Sequence, residues 1–181
     1  MPDSQITKHA LAQAMKDLMA EKPMTKISIG DIAERCNMNR QSFYYHFKDK
    51  YDLVNWIYYT EFISEIKTHN FATGWEFIEK VCAFFEKNRV FYCNALKVTC
   101  QNSFYEYFSD VIQPIILIYF KDIFEESPNQ TFYVEFLADA FRAAITRWLL
   151  EGAKVPSKEF VSLIKDAATG VAIKVVSDMQ Q

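Results

Sequence analysis

The chain has 181 residues and a formal net charge of −3. It has 4 glycines, where average usage would supply about 13. So few glycines argue against folds built on tight turns or on glycine-rich phosphate loops, and they favour long helices with short connections. Half of the residues are hydrophobic and 16% are aromatic, so the chain can bury a large core and is not disordered.

The chain contains no apolar run near the ~18 residues of a membrane span and no signal-peptide layout. We therefore expect a cytoplasmic protein that contacts no membrane. The cysteines form no CxxC pair and have no histidine at ligand spacing, which predicts reduced thiols, no metal and no other cofactor. Nothing at nucleophile–base spacing predicts a catalytic residue, so we expect no enzyme activity.

The first predicted helix spans residues 4–21, where apolar residues recur at spacings of three and four. Pro23 ends it, because proline cannot continue a helix. Ser28 then has the character of an N-cap, and Asp31 follows three residues later as in a capping box. These signals predict a second, short helix from residue 29.

The second helix is expected to end near Cys36 and a third to span residues 40–47. Asn37 tolerates left-handed backbone, which a tight bend between the two helices requires. Asn39 is a second N-cap candidate. Two short helices with such a bend between them predict a helix-turn-helix.

Residues 27–50 (ISIGDIAERCNMNRQSFYYHFKDK) resemble the N-terminal signature of the TetR/AcrR family of bacterial transcriptional regulators. Asp31-Ile-Ala and the block 43–50 carry most of the match, and Asn37 stands where family members usually have glycine. The resemblance implies an all-helical, two-part, dimeric regulator. It places a helix-turn-helix DNA-binding domain at residues 1–48 and a helical effector-binding and dimerisation domain at residues 49–181.

The second part of the chain is predicted to form further helices, which gives about nine helices in all. Asp49 is expected to cap a long fourth helix to residue 66, and Thr73 the next helix after a break at 70–74. Pro114 predicts a kink or a helix start. The remaining expected segments are helices over 90–98, 103–124 and 131–152, a loop at 125–130, and a last helix from 156–157.

A weaker resemblance covers the second part of the chain. Residues 91–92, 101–104 and 147–152 are similar to the C-terminal domain of a subgroup of this family that includes activators of dihydroxyacetone kinase operons.

The charge of the chain is uneven and supports DNA as the partner of the first part only. Residues 1–50 carry eight Lys/Arg and six Asp/Glu, a balance of +2, and the remainder carries −5. Phe43 and Phe47 are expected to face the core, which leaves the rest of the third helix open.

Arg40 and Gln41, at the N-terminal end of this helix, have the chemistry to pair with guanine and adenine. Tyr44 and His46 occupy the family's positions for phosphate and thymine-methyl contacts. The predicted DNA-contacting residues are Ser28, Gly30, Asn39, Arg40, Gln41, Ser42, Tyr44, Tyr45, His46, Lys48 and Lys50. Of these, Lys48 and Lys50 flank the start of the fourth helix, so we expect them to bind phosphate.

Most aromatic residues of the second part are expected to be core, but an excess of Tyr and Trp, which have polar tips, also indicates a ligand pocket. The pocket candidates are Trp56, Tyr59, Trp75, Phe85, Tyr92, Phe104, Tyr105, Phe108 and Phe141.

The last two predicted helices each carry an apolar stripe, which is either buried within one chain or forms a four-helix dimer interface. The last helix is expected to bury Phe160, Ile164, Ala167, Val171 and Val175. The predicted dimer-interface residues are Leu137, Phe141, Ala144, Ile145, Trp148, Val161, Ile164, Ala168, Val171 and Val175.

The function expected from these features is that of a repressor. It would bind a palindromic operator in double-stranded DNA as a homodimer, and a small apolar or aromatic effector would release it. The alternative is an activator of the same family whose effector is a protein partner.

Overall fold

The computed structural model describes residues 2–67, 69, 71–120 and 127–180, and within these ranges the chain is all-helical. The prediction of an all-α fold with about nine helices is confirmed. We number the helices α1 Pro2–Glu21, α2 Ile29–Arg35, α3 Arg40–His46, α4 Lys50–Tyr58, α5 Gly74–Lys87, α6 Arg89–Leu96, α7 Phe104–Phe120, α8 Gln130–Leu150 and α9 Ser157–Met179. A 3-10 turn, Met24–Lys26, joins α1 to α2, and α4 continues through a π-helical turn, Tyr59–Ile63, into a last α-helical turn, Ser64–Ile66.

The helix starts in the first part of the chain are set by local side-chain caps, as their sequence signals predict. Ser28 and Asp31 form a capping box at α2. The Asn39 side chain accepts the backbone N–H of Ser42 at α3, and Asp49 caps α4. The bend between α2 and α3 has Asn37 at φ 56°, the left-handed conformation that asparagine tolerates.

Asp31 also makes the stability of this region depend on pH. Its carboxylate accepts hydrogen bonds from Lys22 Nζ at 2.8 Å and from the Ser28 N–H at 3.0 Å, and these lower its pKa from 3.8 to about 2. A depressed pKa in the folded state gives stability that is present above the unfolded value and is lost as the pH falls toward 2.

We therefore expect Asp31→Asn to lower the urea midpoint of unfolding at pH 6, because the carboxylate's charged contacts are lost. At pH 2.5 the carboxyl is almost fully protonated in the unfolded wild type and about one quarter protonated in the folded state, so most of its contribution is lost and the two midpoints should approach each other. A gap of the same size at both pH values would contradict this role of Asp31.

Helix α1 is the central element of the first part and contacts α2, α3, α4 and α6. Leu11, Met15 and Leu18 are buried along it. Since α4 and α6 belong to the second part of the chain, α1 is the helix through which the first part packs on the second.

The second part is built around an aromatic core. Tyr58 and Tyr92, each 1% exposed, pack with their ring centroids 5.8 Å apart. Phe85, Phe104 and Phe108 surround them and are equally inaccessible. Around this core α7 packs on α8, and α9 packs on α5. The Glu86 carboxylate of α5 accepts the N–H and the hydroxyl of Ser157 at the start of α9.

Helix α8 has two apolar faces, and the residues predicted for the dimer interface lie on the inner one, where Leu137 and Ala144 are half-buried. Phe141, Ile145 and Trp148 are buried against the chain's own core, so they leave no surface for a partner. The opposite face is exposed and also apolar, and it carries Phe132, Phe136, Ala140, Ala143 and Leu150. The period of a helix shows that a stripe exists but not which neighbour covers it.

Helix α9 departs from its expected burial in the second half. Val161 is buried, and Phe160 and Ile164 are half-buried. Ala167, Ala168, Val171 and Val175, which lie further along the helix, are exposed. The reason is length, since α9 has 23 residues and its C-terminal half extends beyond the helices that cover its start.

Of the expected boundaries, the alternative of a helix start at Pro114 is wrong, and the end of α8 near Gly152 is as predicted. Helix α7 continues through Pro114 rather than starting there, and is described as far as Phe120. The predicted helical residues 121–124 and part of the predicted loop 125–130 lie outside the described residues, as does residue 70 of the predicted break. Gly152, with φ 91°, follows the end of α8 in the conformation that glycine adopts without strain.

Candidate DNA-reading surface and effector cavity

Two buried aromatic residues fix the orientation of α3. Phe43 is 0% and Phe47 is 3% exposed, and their rings lie 5.8 Å apart. Phe47 also packs edge-to-face on Trp56 of α4 at 5.6 Å. Because Phe43 and Phe47 are four residues apart, the opposite side of α3 is turned to solvent.

The solvent side of α3 carries the residues predicted to read DNA. Arg40, Gln41, Tyr44, Tyr45 and Lys48 are exposed, and Tyr45 is the most open of them at 84%. Ser42 and His46 are half-buried. The structure therefore leaves these seven predicted residues at least partly accessible on α3 and just after it, with Arg40 and Gln41 at the N-terminal end of the helix.

Ser28 and Asn39 are predicted to contact DNA, but their side-chain oxygens accept hydrogen bonds at the N-termini of α2 and α3. The Ser28 hydroxyl accepts the Asp31 N–H at 3.1 Å, and Asn39 Oδ1 accepts the N–H and hydroxyl of Ser42 at 2.8 and 3.1 Å. Both residues are exposed, and each stands just before the first turn of its helix.

Gly30 lies beside the guanidinium of Arg40. A Cβ built on Gly30 would come within 2.7 Å of Arg40 Nη2, so a side chain there would push the guanidinium aside. Gly30 thus supports the present position of Arg40 across the bend between α2 and α3.

Lys50, which is predicted to bind phosphate, makes hydrogen bonds within its own chain. Its ammonium donates to the carbonyls of Met24 and Ile27, both at 2.8 Å. Burial lowers its pKa. Two of its three donors therefore hold the turn between α1 and α2, a contact far apart in the sequence that local pattern does not reveal.

A cavity of about 440 Å³ opens in the second part of the chain, within the range of about 300–1,000 Å³ typical of small-molecule sites. It lies between the end of α4, the start of α5 and α7. Its lining is mostly apolar, with polar groups from Tyr59, Lys67, His69, Tyr107 and Asp110. The Lys67 ammonium donates to the Tyr59 hydroxyl at 3.2 Å and lies 4.8 Å from the centre of its ring.

Two irregularities in helices border this cavity. Tyr59 and Ile63 belong to the π-helical turn, a feature that often marks functional sites. Pro114 of α7 has no N–H, so the Asp110 carbonyl lacks its helical donor. The sequence shows Pro114, but it shows neither the π-turn nor the packing that brings both elements to one cavity.

Of the nine predicted pocket residues, Tyr59 alone is among those that line this cavity. Phe85, Tyr92, Phe104 and Phe108 belong to the closed aromatic core. The lining residues missed by the sequence interpretation are Ile63, Ile66, Lys67, His69, Phe71, Phe77, Tyr107, Asp110, Val111, Pro114, Ile115, Ile118 and Tyr119.

The other four predicted pocket residues lie elsewhere. Trp56 packs between His9 and Phe47 at the junction of the two parts. Trp75 packs on Phe141, 5.7 Å away. Tyr105 faces the guanidinium of Arg142 at 4.5 Å.

None of the helices in the described ranges is long and apolar enough to cross a membrane. Among the same residues, no group of three or more His, Cys, Asp or Glu side chains is arranged to hold a metal ion.

Two family descriptions match the chain. Residues 11–57 match "Bacterial regulatory proteins, tetR family", and residues 74–170 match "Transcriptional regulator C-terminal region" of the same family. A relative is the HTH-type dhaKLM operon transcriptional activator DhaS of Lactococcus lactis subsp. lactis (strain IL1403). It is 31% identical over 93 residues, which make up 51% of this chain and 50% of that protein. The match thus spans about half the length of this curated relative.

Solved structures share the whole fold. A dihydroxyacetone kinase operon activator DhaS has a TM-score of 0.68 at 21% identity, over 94% of this chain and 97% of that chain. NalD, the secondary repressor of the MexAB-OprM multidrug efflux pump in Pseudomonas aeruginosa, has a TM-score of 0.61 at 16% identity, over 94% and 98%. Since the second family match alone covers more than half of the sequence, the chain belongs to the TetR family of DNA-binding transcriptional regulators and is not an enzyme.

Proposed function

We propose that this regulator is a repressor that binds a palindromic operator as a homodimer and is released by a small apolar or aromatic effector. The observation that carries the proposal is the apolar cavity of about 440 Å³, which lies in the same chain as an exposed helix-turn-helix. A ligand that favours one spacing of the two reading helices would shift the dimer toward that spacing by its differential affinity.

The apolar surface left exposed by one chain supports the homodimer. On α8 it includes Phe132 and Phe136, which are 63% and 64% exposed. On α9 it includes Val171, Val175 and Val176, which are 51–65% exposed. Exposed apolar side chains in such number mark interaction sites, and a second copy of the same two helices would cover them. A two-fold dimer requires a palindromic operator.

The cavity is tested by melting the protein with a panel of small apolar and aromatic compounds. We expect at least one compound to raise the melting temperature of the wild type and to release it from a DNA duplex recovered from a random pool. Val111→Phe, which narrows the cavity, should abolish the shift. Leu117→Phe lies on the same helix outside the lining and should retain it. A panel without any stabilising compound would contradict the small-molecule proposal.

The DNA-reading surface predicts a specificity change for Arg40→Ala. If the guanidinium pairs with a guanine, its loss should reduce discrimination at that base pair by about 1–3 kcal/mol. Selection from random DNA, followed by competition between single-base variants of the operator, measures this. The matched variant Lys48→Ala should instead weaken all sequences about equally and lower the salt dependence. An unchanged base preference in Arg40→Ala would exclude direct reading by this residue.

A second candidate is an activator that responds to a protein partner. The curated relative that is 31% identical over half of this chain is named an operon activator. For this candidate, the wild type would capture a protein from lysate, and DNA binding would persist when the compound panel is added. A reporter gene downstream of the selected operator separates activation from repression.

A further inference from the structure

Asn94 of α6 makes three hydrogen bonds to the end of α1 and to the 3-10 turn that precedes the helix-turn-helix. Its Oδ1 accepts the N–H of Met24 at 2.8 Å. Its Nδ2 donates to the carbonyls of Met19 and Lys22 at 2.9 and 3.0 Å. One half-buried amide thus contacts both the end of α1 and the start of the 3-10 turn.

These backbone groups lack partners of their own because of the local sequence. The carbonyl of Met19 would accept the N–H of residue 23, but that residue is Pro23 and has none. The N–H of Lys26 donates to the Pro23 carbonyl, so it does not serve the carbonyl of Lys22 as the next helical bond would. Asn94 donates the hydrogen bonds that these carbonyls lack after the helix is interrupted.

The same turn is held from the other side by α4. Lys50 donates to the carbonyls of Met24 and Ile27. The peptide units on either side of Met24 therefore lie between an amide from α6 and an ammonium from α4. This turn leads directly into α2, so its position determines where α2 and α3 lie relative to the rest of the chain.

Helix α6 is itself set by the aromatic core. Tyr92, two residues before Asn94, has its ring 5.8 Å from Tyr58 and 5.0 Å from Phe85. Tyr58 in turn lies 6.3 Å from Tyr107, which lines the cavity. A series of ring contacts therefore connects the cavity to the helix that carries Asn94.

We propose that Asn94 is a positioning residue for DNA binding, through which α6 sets the orientation of the reading helices α2 and α3. The inference rests on the proposed function in one respect only, that α3 reads DNA; it does not depend on which effector binds. Asn94 touches no part of the DNA-reading surface and acts through the turn 22–28.

The test compares Asn94→Ala with Asn88→Ala in the full-length protein. Asn88 is the same residue type in the same region, and its amide donates within the second part to the Phe84 carbonyl at 3.0 Å. The probe is the DNA duplex that the wild type recovers from a random pool, and binding is measured well below the melting temperature of each variant.

We expect Asn94→Ala to weaken binding of this duplex about tenfold or more, since three hydrogen bonds that hold the turn are lost. Amide exchange should become faster in residues 22–47 and stay as in the wild type in α5 and α7. Asn88→Ala should retain wild-type affinity and wild-type exchange in residues 22–47. If Asn94→Ala does not fold, Asn94→Asp, which keeps the acceptor for Met24 and loses both donations, undergoes the same measurements.

Two results would overturn the inference. One is wild-type affinity in folded Asn94→Ala or Asn94→Asp. The other is an equal loss of affinity in Asn88→Ala, or faster exchange over the whole chain, because either would show general destabilisation. A wild type that selects no DNA would instead refute the proposed function itself.

Discussion

Replacing Phe85 with alanine is expected to destabilise the chain by about 3–5 kcal/mol, the usual cost of removing a buried phenyl group. Phe85 is 0% exposed. Its ring stacks on Tyr58 at 5.7 Å and packs edge-to-face on Tyr92 and Phe108 at 5.0 and 5.1 Å. Each of these contacts would be replaced by empty space, because three other rings hold the walls of the site in place.

The measurement is thermal or urea unfolding of the variant without DNA. A loss of this size is a large part of the total stability of about 5–15 kcal/mol of a typical domain, so the melting temperature should fall by on the order of 10 °C. Tyr45→Ala is the matched control. Its ring is 84% exposed, so its removal should change stability by less than about 0.5 kcal/mol.

The outcome also decides between the two interpretations of Phe85 that the sequence allows. If Phe85 lined a ligand pocket, its truncation would change compound binding and leave the melting temperature near that of the wild type. A small change in stability together with a lost compound shift would therefore place the pocket at Phe85 and not at the cavity beside Tyr59.

Local signals in the sequence predicted several helix starts well. Ser28, Asn39, Asp49 and Thr73 cap the helices that they were expected to cap. Asn37 adopts the left-handed conformation that its bend requires. A cap acts on a backbone group two or three residues away, so it can be read from a few neighbouring residues.

The residues whose surroundings differ from those expected make contacts between distant parts of the sequence. Lys50 is the first residue of α4, a position that favours a phosphate contact, yet its ammonium donates to carbonyls 23 and 26 residues earlier. Phe141 and Trp148 form a regular stripe, yet it faces the chain's own core. Period and composition identify apolar and charged faces, but tertiary packing decides which partner each face meets.

The same limit applies to the aromatic residues. Phe104 and Tyr59 are both aromatic residues in predicted helices, and one is closed in the core while the other lines the cavity. The π-helical turn at Tyr59–Ile63 precedes two further lining residues, Ile66 and Lys67. An additional residue in the turn shifts the face that follows it, which a constant helical period does not anticipate.

Val171→Glu is expected to convert the proposed homodimer into a monomer. Val171 is 65% exposed in the single chain, in line with Ile164 and Ala168 along α9. In a dimer that buries this face, a carboxylate at residue 171 would lose its hydration without a partner, which costs more than the apolar contact it replaces. The single chain loses little, because the new side chain points to solvent and glutamate is a good helix former.

Analytical ultracentrifugation at micromolar concentration measures the loss of the dimer, and titration of the selected operator measures the resulting loss of affinity for DNA. A monomer engages one half-site at a time, so the affinity for the full operator should fall about 100-fold or more. Ser162→Glu provides the control, because residue 162 is exposed on the opposite side of α9 from Val171. A Val171→Glu protein that remains dimeric and binds the operator as the wild type does would show that this face is not the interface.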